Sequence, residues 1–335
     1  MLIVDAHLDL SYNALRGRDV LAAAERQEKD DQGIPTVGLP DLRRGGVGLI
    51  CGTIFCSPEE KDEGIPGYRT AEEAHAEGQR HLDWYAARRD EGYFRIVKSA
   101  GELPEVAPSK DQPLPTILLL EGADPIREPG EAGWWFEKGV RIVGMAWHRT
   151  RYAGGTRAPG PLTDDGVKLA QVLDRVGMIH DLSHLAEESY WQLLDLTEGP
   201  VMASHSNCQA IVPTDRQLSD RMIRAAAGRG GVIGMNLYHK FLLPPDEFGK
   251  RLANLSDVVL HIRHICDVLG DAKHIGLGTD MDGGFGRNEI PEEIKTSADL
   301  PKLADALAEA NFSDQDVHGI LGGNWIEFFR RSLPK

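Results

Sequence analysis

Two observations in this sequence predict an α/β chain folded as a single (β/α)8, TIM-like barrel. Short aliphatic runs alternate with longer segments of helical character, which is the pattern of repeated βα units. There are eight such runs, at about 2–6, 47–55, 116–120, 140–147, 177–182, 200–204, 231–236 and 274–279. The first run is followed by no GxGxxG phosphate loop, so an open doubly wound sheet lacks its usual signature.

Helical segments fall between the runs, near 70–91, 164–176, 186–197, 217–229 and 255–270, with weaker patterns at 12–30 and 131–138. In the second of these, Asp164 and Asp165 suit a helix N-terminus, and Val167, Leu169, Ala170, Val172 and Leu173 supply one apolar face. The tail from Ser313 to Arg331 is expected to pack as a closing helix. The stretches 56–70 and 151–163, rich in Gly, Pro and charge, read as loops rather than linkers, so residues 1–335 are taken as one catalytic domain.

Composition narrows the functional class. The 335 residues are 41% hydrophobic, ordinary for a packed protein. Against 37 basic residues stand 52 acidic ones, a net charge of −15, which repels phosphate backbones and argues against nucleic acid as a partner. Cys51, Cys56, Cys208 and Cys266 form no CxxC pair and read as reduced thiols. The short apolar start Met1 to Val4 is unlike a signal peptide, and no run approaches the roughly 18 apolar residues of a membrane helix. A cytoplasmic protein without membrane attachment is expected.

Most strand candidates end in a potential ligand or acid/base group: IVDAHLD, LLLEGAD, VGMAWH, IHDLSH, MASHS and IGLGTD. In a barrel the C-terminal strand ends converge on the active site, so these ends aim at one place. His7 and Asp9, two apart, can share one metal ion. Glu121 has two carboxylate oxygens with which to bridge a pair of cations, and His184 and His205 supply imidazoles for a second ion. A His, Asp and Glu set without Cys is typical of catalytic zinc. Taken singly, each group also has a plain structural reading as a cap, a core histidine or a buried charge. Together, at one rim, they point to a shared metal site. Asp280 is the leading general acid/base, with a capping or third-ligand role as its alternative. The glycines after Asp282 suggest a turn there. His180 and Asp181 alternate within one strand, and neither is assigned a function.

Along nearly the whole chain the motifs DAHLD (5–9), LEG (120–122), DLSH (181–184), ASHSN (203–207), RQLSD (216–220), GGVIGMN (230–236), GTDMDG (279–284) and ILGGN (320–324) resemble, in order, those of the renal or membrane dipeptidase family of zinc peptidases. The resemblance implies a (β/α)8 barrel of the metal-dependent hydrolase type, two Zn2+ per chain and a homodimer. By resemblance His7 and Asp9 bind one zinc, Glu121 bridges, His184 and His205 bind the other, and Asp280 is the acid/base. The family's substrate-holding histidine and arginine correspond to His148 and Arg216, although GMAWHRTRY departs from the family's LTH-type segment around His148. His148 is also a candidate donor to the oxyanion, and Tyr238 a further substrate contact. Arg216 offers a planar fork for the free carboxylate of a short peptide, or alternatively a surface ion pair. The activity implied is hydrolysis of dipeptides, those with a C-terminal D-residue included. The alternative is metal-dependent cleavage of another small amide, a lactam or an N-acyl amino acid.

Overall fold

In the computed structural model, which describes residues 2–59, 67–109 and 111–335, the apolar runs become the staves of a barrel. They are β1 (Ile3–Leu8), β2 (Val47–Phe55), β3 (Leu114–Glu121), β4 (Val140–Gly144), β5 (Ile179–Asp181), β6 (Val201–Met202), β7 (Ile233–Met235) and β8 (Ile275–Leu277). Each is hydrogen-bonded in parallel to the next from β1 to β6, β7 pairs with β8, and β8 returns to β1 through Leu277 and Asp5. The seam between β6 and β7 is bridged by Ala203 and Ile233, where Ala203 N–H donates to Val232 O at 3.0 Å and Gly234 N–H to Ala203 O at 2.8 Å. The backbones crowd there, since a Cβ on Gly234 or Gly278 would stand 2.0 or 1.7 Å from Ser204 O.

Strands covered on both faces need apolar side chains at every position, which is why β2 reads VGLICGTIF without polar alternation and is buried throughout. The outward side chains meet the helices. Among the inward ones, Val4, Leu49, Ile117, Ile142 and Met202 pack on the helix Asn324–Ser332. That helix carries Trp325, Phe328 and Phe329 into the N-terminal mouth of the barrel. The Trp325 ring stacks on Phe329 at 5.4 Å, and its Nε1–H donates to Leu277 O at 2.9 Å. Trp325→Ala removes both the plug and a buried donor's bond. It is expected to cost about 3–5 kcal/mol in denaturant unfolding while leaving metal content unchanged in the folded fraction.

The tail read as one closing helix is Asp314–His318, a wide turn at Gly319–Gly323 and then Asn324–Ser332. The helices Ala71–Asp90, Asp164–Val176, Glu187–Leu196 and Leu255–Leu269 match their patterns closely. Two expectations are corrected. The weak 12–30 pattern is α-helical only over Leu10–Leu15, with a single 3-10 turn at Ala24–Arg26; Gly17 turns with φ 104°, and Arg18 closes the loop by pairing with Asp30. The 151–163 stretch is not an open loop, because Ala153–Gly155 and Ala158–Leu162 form an antiparallel hairpin. Part of the 56–70 stretch, residues 60–66, lies outside the described residues.

Candidate active site

The chain turns sharply where the strands end, and the turns are built to present side chains. His184, after β5, and Asp280, after β8, both adopt left-handed backbone, with φ of 66° and 57°. For non-glycine residues this costs on the order of 1 kcal/mol and persists only where surroundings enforce it. At Asp280 the enforcement is visible. Thr279 donates from N–H and Oγ1 to the Asp5 carboxylate at 2.9 and 2.6 Å, and Asp280 N–H donates to His7 O at 3.2 Å. Asp282 faces elsewhere, accepting from Thr36 and Val37 N–H with Arg18 Nη1 3.2 Å away, so it anchors a loop.

Around Glu121 the predicted groups come together. Its Oε2 lies 3.4 Å from His7 Nε2, while its Oε1 lies 3.1 Å from His184 Nε2 and 3.4 Å from His205 Nε2. On the far side of His7 Nε2 are Asp9 Oδ2 at 4.0 Å and Asp280 Oδ1 at 3.9 Å. His7, Asp9, Glu121, His205 and Asp280 are buried, and His184 is nearly so. Burial alone would drive the His7 imidazole down, but the carboxylates of Glu121, Asp9 and Asp280 outweigh it and hold His7 up at about 10. For Glu121, burial would raise the carboxyl; the charge of His7, with the His184 and His205 rings beside the carboxylate, wins and keeps it well below the usual range. Burial pushes Asp9 well above that range and Asp280 up to about 7. His184 falls to about 4, through burial and then the charge of Arg216.

A network that the sequence reading did not assign fixes the imidazoles. Asp181 Oδ1 accepts the N–H groups of Ser183 and Ser204, and its Oδ2 accepts the Ser204 hydroxyl at 2.5 Å. With its only proton spent, Ser204 Oγ must accept from its histidine neighbours, His205 Nδ1 at 2.7 Å and His7 Nδ1 at 3.3 Å. The Nε2 lone pair of His205 therefore faces Glu121. His184 Nδ1 is held in turn by Thr156 Oγ1, 3.1 Å away on the hairpin turn.

This arrangement fits cations. His184 Nε2 and His205 Nε2 sit 2.9 Å apart, both facing one carboxylate oxygen, while His7 Nε2 and Asp9 Oδ1 are buried without a hydrogen-bond partner. Imidazoles held through Nδ1 by outer partners, together with shared carboxylates, are the donor set of a catalytic metal centre.

A cavity of about 340 Å³ opens over this cluster. Tyr12, Phe55 and Trp147 line one part of it, with ring centroids 5.3 and 5.1 Å apart in sequence. Elsewhere in the lining, Tyr238 stacks on Phe285 at 4.3 Å and meets Phe241 at 5.0 Å. His148 lines the cavity beside Trp147. Arg216 is buried rather than on the surface, which removes the surface ion-pair reading. It donates to His205 O at 2.6 Å and Ser206 Oγ at 3.2 Å, lies over the Phe241 ring at 5.3 Å, and its Nε is without a partner. Asp280 Oδ2 accepts from Asn236 Nδ2 at 2.9 Å. His180, by contrast, points away and bonds Asp174 at 2.7 Å. The contributions of Asp181, Ser204, Thr156 and Asn236 were not read from sequence; the one usable signal was the polar density of DLSH, ASHS and GMN.

Known proteins share this architecture. Over 71% of this chain and 89% of its own length, an uncharacterized protein from the pqqA 5' region of Klebsiella pneumoniae is 28% identical. Dipeptidase aclJ of Aspergillus oryzae is 29% identical over 57% of the chain, a match spanning 44% of that enzyme. The crystal structure of dipeptidase AC, a metallopeptidase of family M19, superposes with a TM-score of 0.83 at 25% identity, covering 100% of this chain and 99% of that one. A metallopeptidase of Rhodobacter sphaeroides, liganded with a phosphinate mimic of L-Ala-D-Ala, has the same fold, with a TM-score of 0.83 at 24% identity over 99% of both chains. The model of the membrane dipeptidases matches residues 1–332, and with the fold and the donor set already described, the chain belongs to that family, peptidase family M19, and is a metallo-dipeptidase.

Proposed function

We propose that this metallo-dipeptidase works with two zinc ions, held by His7 and Asp9 on one side and His184 and His205 on the other with Glu121 between them, and that it cleaves free dipeptides. The observation that carries the reading is Glu121, whose two oxygens face different imidazoles. Bound there, the ions would supply Lewis acidity for the scissile carbonyl and for the attacking water.

The protein's own groups do the rest. Asp280, oriented by Asn236, takes the proton of the attacking water at its carboxylate and delivers it to the leaving amine. His148 hydrogen-bonds the developing oxyanion, and Tyr238 flanks the substrate. Arg216 receives the terminal carboxylate, which restricts the site to short peptides. The phosphinate mimic of L-Ala-D-Ala in the Rhodobacter neighbour motivates including D-residues at the C-terminal position. Cytoplasmic residence and a homodimer belong to the same reading. Among the described residues no helix is long and apolar enough to cross a membrane, and sedimentation of the purified chain tests the dimer.

Arg216 provides the decisive test. A charged bidentate contact in a desolvated site is worth about 2–4 kcal/mol. Arg216→Ala is expected to lower kcat/KM by roughly 30- to 1000-fold on a free dipeptide, and much less on the same dipeptide amidated at its C-terminus. Lysine restores charge without the fork and rescues in part. Because Arg216 also holds the His205 carbonyl, metal content is measured alongside. An equal loss on both substrates would mean that Arg216 supports the metal shell instead of reading the carboxylate.

A further inference from the structure

Behind the aromatic wall lies a second cluster of donor atoms that the dipeptidase chemistry does not use. A Cys56 sulfur, a Glu77 carboxylate oxygen and a His81 ring nitrogen lie within 4.8 Å of one another. They come from two elements. Cys56 follows the last residue of β2, and Glu77 and His81 stand one turn apart on the helix Ala71–Asp90 that packs over it. Cys56 and His81 are buried, and Glu77 is half-buried, leaving a route from solvent.

His81 is prepared in the way the active-site histidines are. The Ser11 hydroxyl donates to Thr53 O at 2.9 Å, so its oxygen must accept from His81 Nδ1, 2.7 Å away. The ring is thereby fixed in the tautomer whose Nε2 carries a lone pair, the form that ligates metals. Among the described residues the Cys56 thiol makes one long hydrogen-bond contact, 3.7 Å, to Ala74 O.

We propose that Cys56, Glu77 and His81 form a separate site for one thiophilic divalent cation, such as Zn2+ or Cd2+. Thiolate, imidazole and carboxylate together suit such ions, and with metal–ligand distances of about 2.0–2.3 Å the three donors need to close by roughly 1 Å. Binding exchanges the thiol proton for the metal: the S–H bond breaks, a sulfur–metal bond forms and the proton leaves to solvent. Ser11 immediately precedes Tyr12 and Cys56 immediately follows Phe55, so a cation here ties the helix to the strand end that carries the cavity wall.

The test is titration of the zinc-loaded enzyme with cadmium, read by cadmium–thiolate charge-transfer absorption. The active-site donors contain no sulfur, so displacement of zinc there is silent in this signal. One equivalent of thiolate-bound cadmium is expected. Cys56→Ser abolishes the signal with Cys51, Cys208 and Cys266 still present, and Glu77→Gln, at a half-buried position that the fold tolerates, weakens binding about tenfold. Circular dichroism establishes that each variant is folded. Absence of the signal in the wild type, its persistence in folded Cys56→Ser, or unchanged affinity in Glu77→Gln each overturns the site.

Discussion

Glu121→Gln is expected to yield a folded barrel that retains fewer metal ions and has lost activity by on the order of 10³-fold or more. The carboxylate presents one oxygen to His7 and the other to His184 and His205, so it stands between the Nε2 atoms of both sets of imidazoles. Glutamine keeps the volume but replaces one oxygen with an NH2 donor. Whichever way the amide turns, that donor meets imidazole lone pairs directly, and a hydrogen bond takes the place of a shared cation. Elemental analysis measured with kcat/KM checks this: metal loss and activity loss should move together, while the unfolding midpoint of the metal-free protein stays within the range of an ordinary buried substitution. Full metal content with full activity would remove Glu121 from the centre of the mechanism.

Asp280→Asn should separate chemistry from binding. Asn236 Nδ2 donates to Asp280 Oδ2, and an asparagine can present its amide oxygen at that position, so the side chain keeps its place. The atom nearest His7 Nε2, now 3.9 Å away, becomes an NH2 that cannot accept a proton. The expected result is a fall in kcat by a factor of about 10² to 10⁴ with metal content and KM little changed. Loss of a metal ion from this variant would make Asp280 a ligand first.

Much of this was legible because barrel strands are apolar on both faces, so a charged residue at the end of one stands out. LLLEGAD and IGLGTD break an aliphatic run with a carboxylate at the position where side chains converge, and Glu121 and Asp280 sit there in the structure. Strand lengths were less readable. The run 140–147 stays apolar from Ile142 onward, but β4 ends at Gly144, because burial continues into a turn after the ladder stops. The hairpin was hidden by its composition: Gly154 comes so close to Gly160 that a Cβ would stand 2.5 Å from its backbone, and the glycines that permit this read as loop. Asp181 escaped for another reason. Its function is to accept three hydrogen bonds from Ser183 and Ser204, across two strands, and no local pattern encodes a partner 23 residues away. The aromatic lining, drawn from Tyr12, Phe55, Trp147, Tyr238, Phe241 and Phe285, has no spacing at all in sequence.

The aromatic helix in the barrel's lower mouth also bears on how the molecule is made. All eight strands are complete by Leu277, yet Trp325, Phe328 and Phe329 are synthesised only afterwards. A nascent chain emerging from the ribosome thus carries every stave with an apolar hollow still open to water, and β1 waits for β8 across nearly the whole polypeptide before the ring can join. Closure of the ring therefore waits for synthesis of β8, and its plug comes later still. Until that helix is made, the hollow is a surface for chaperones to cover.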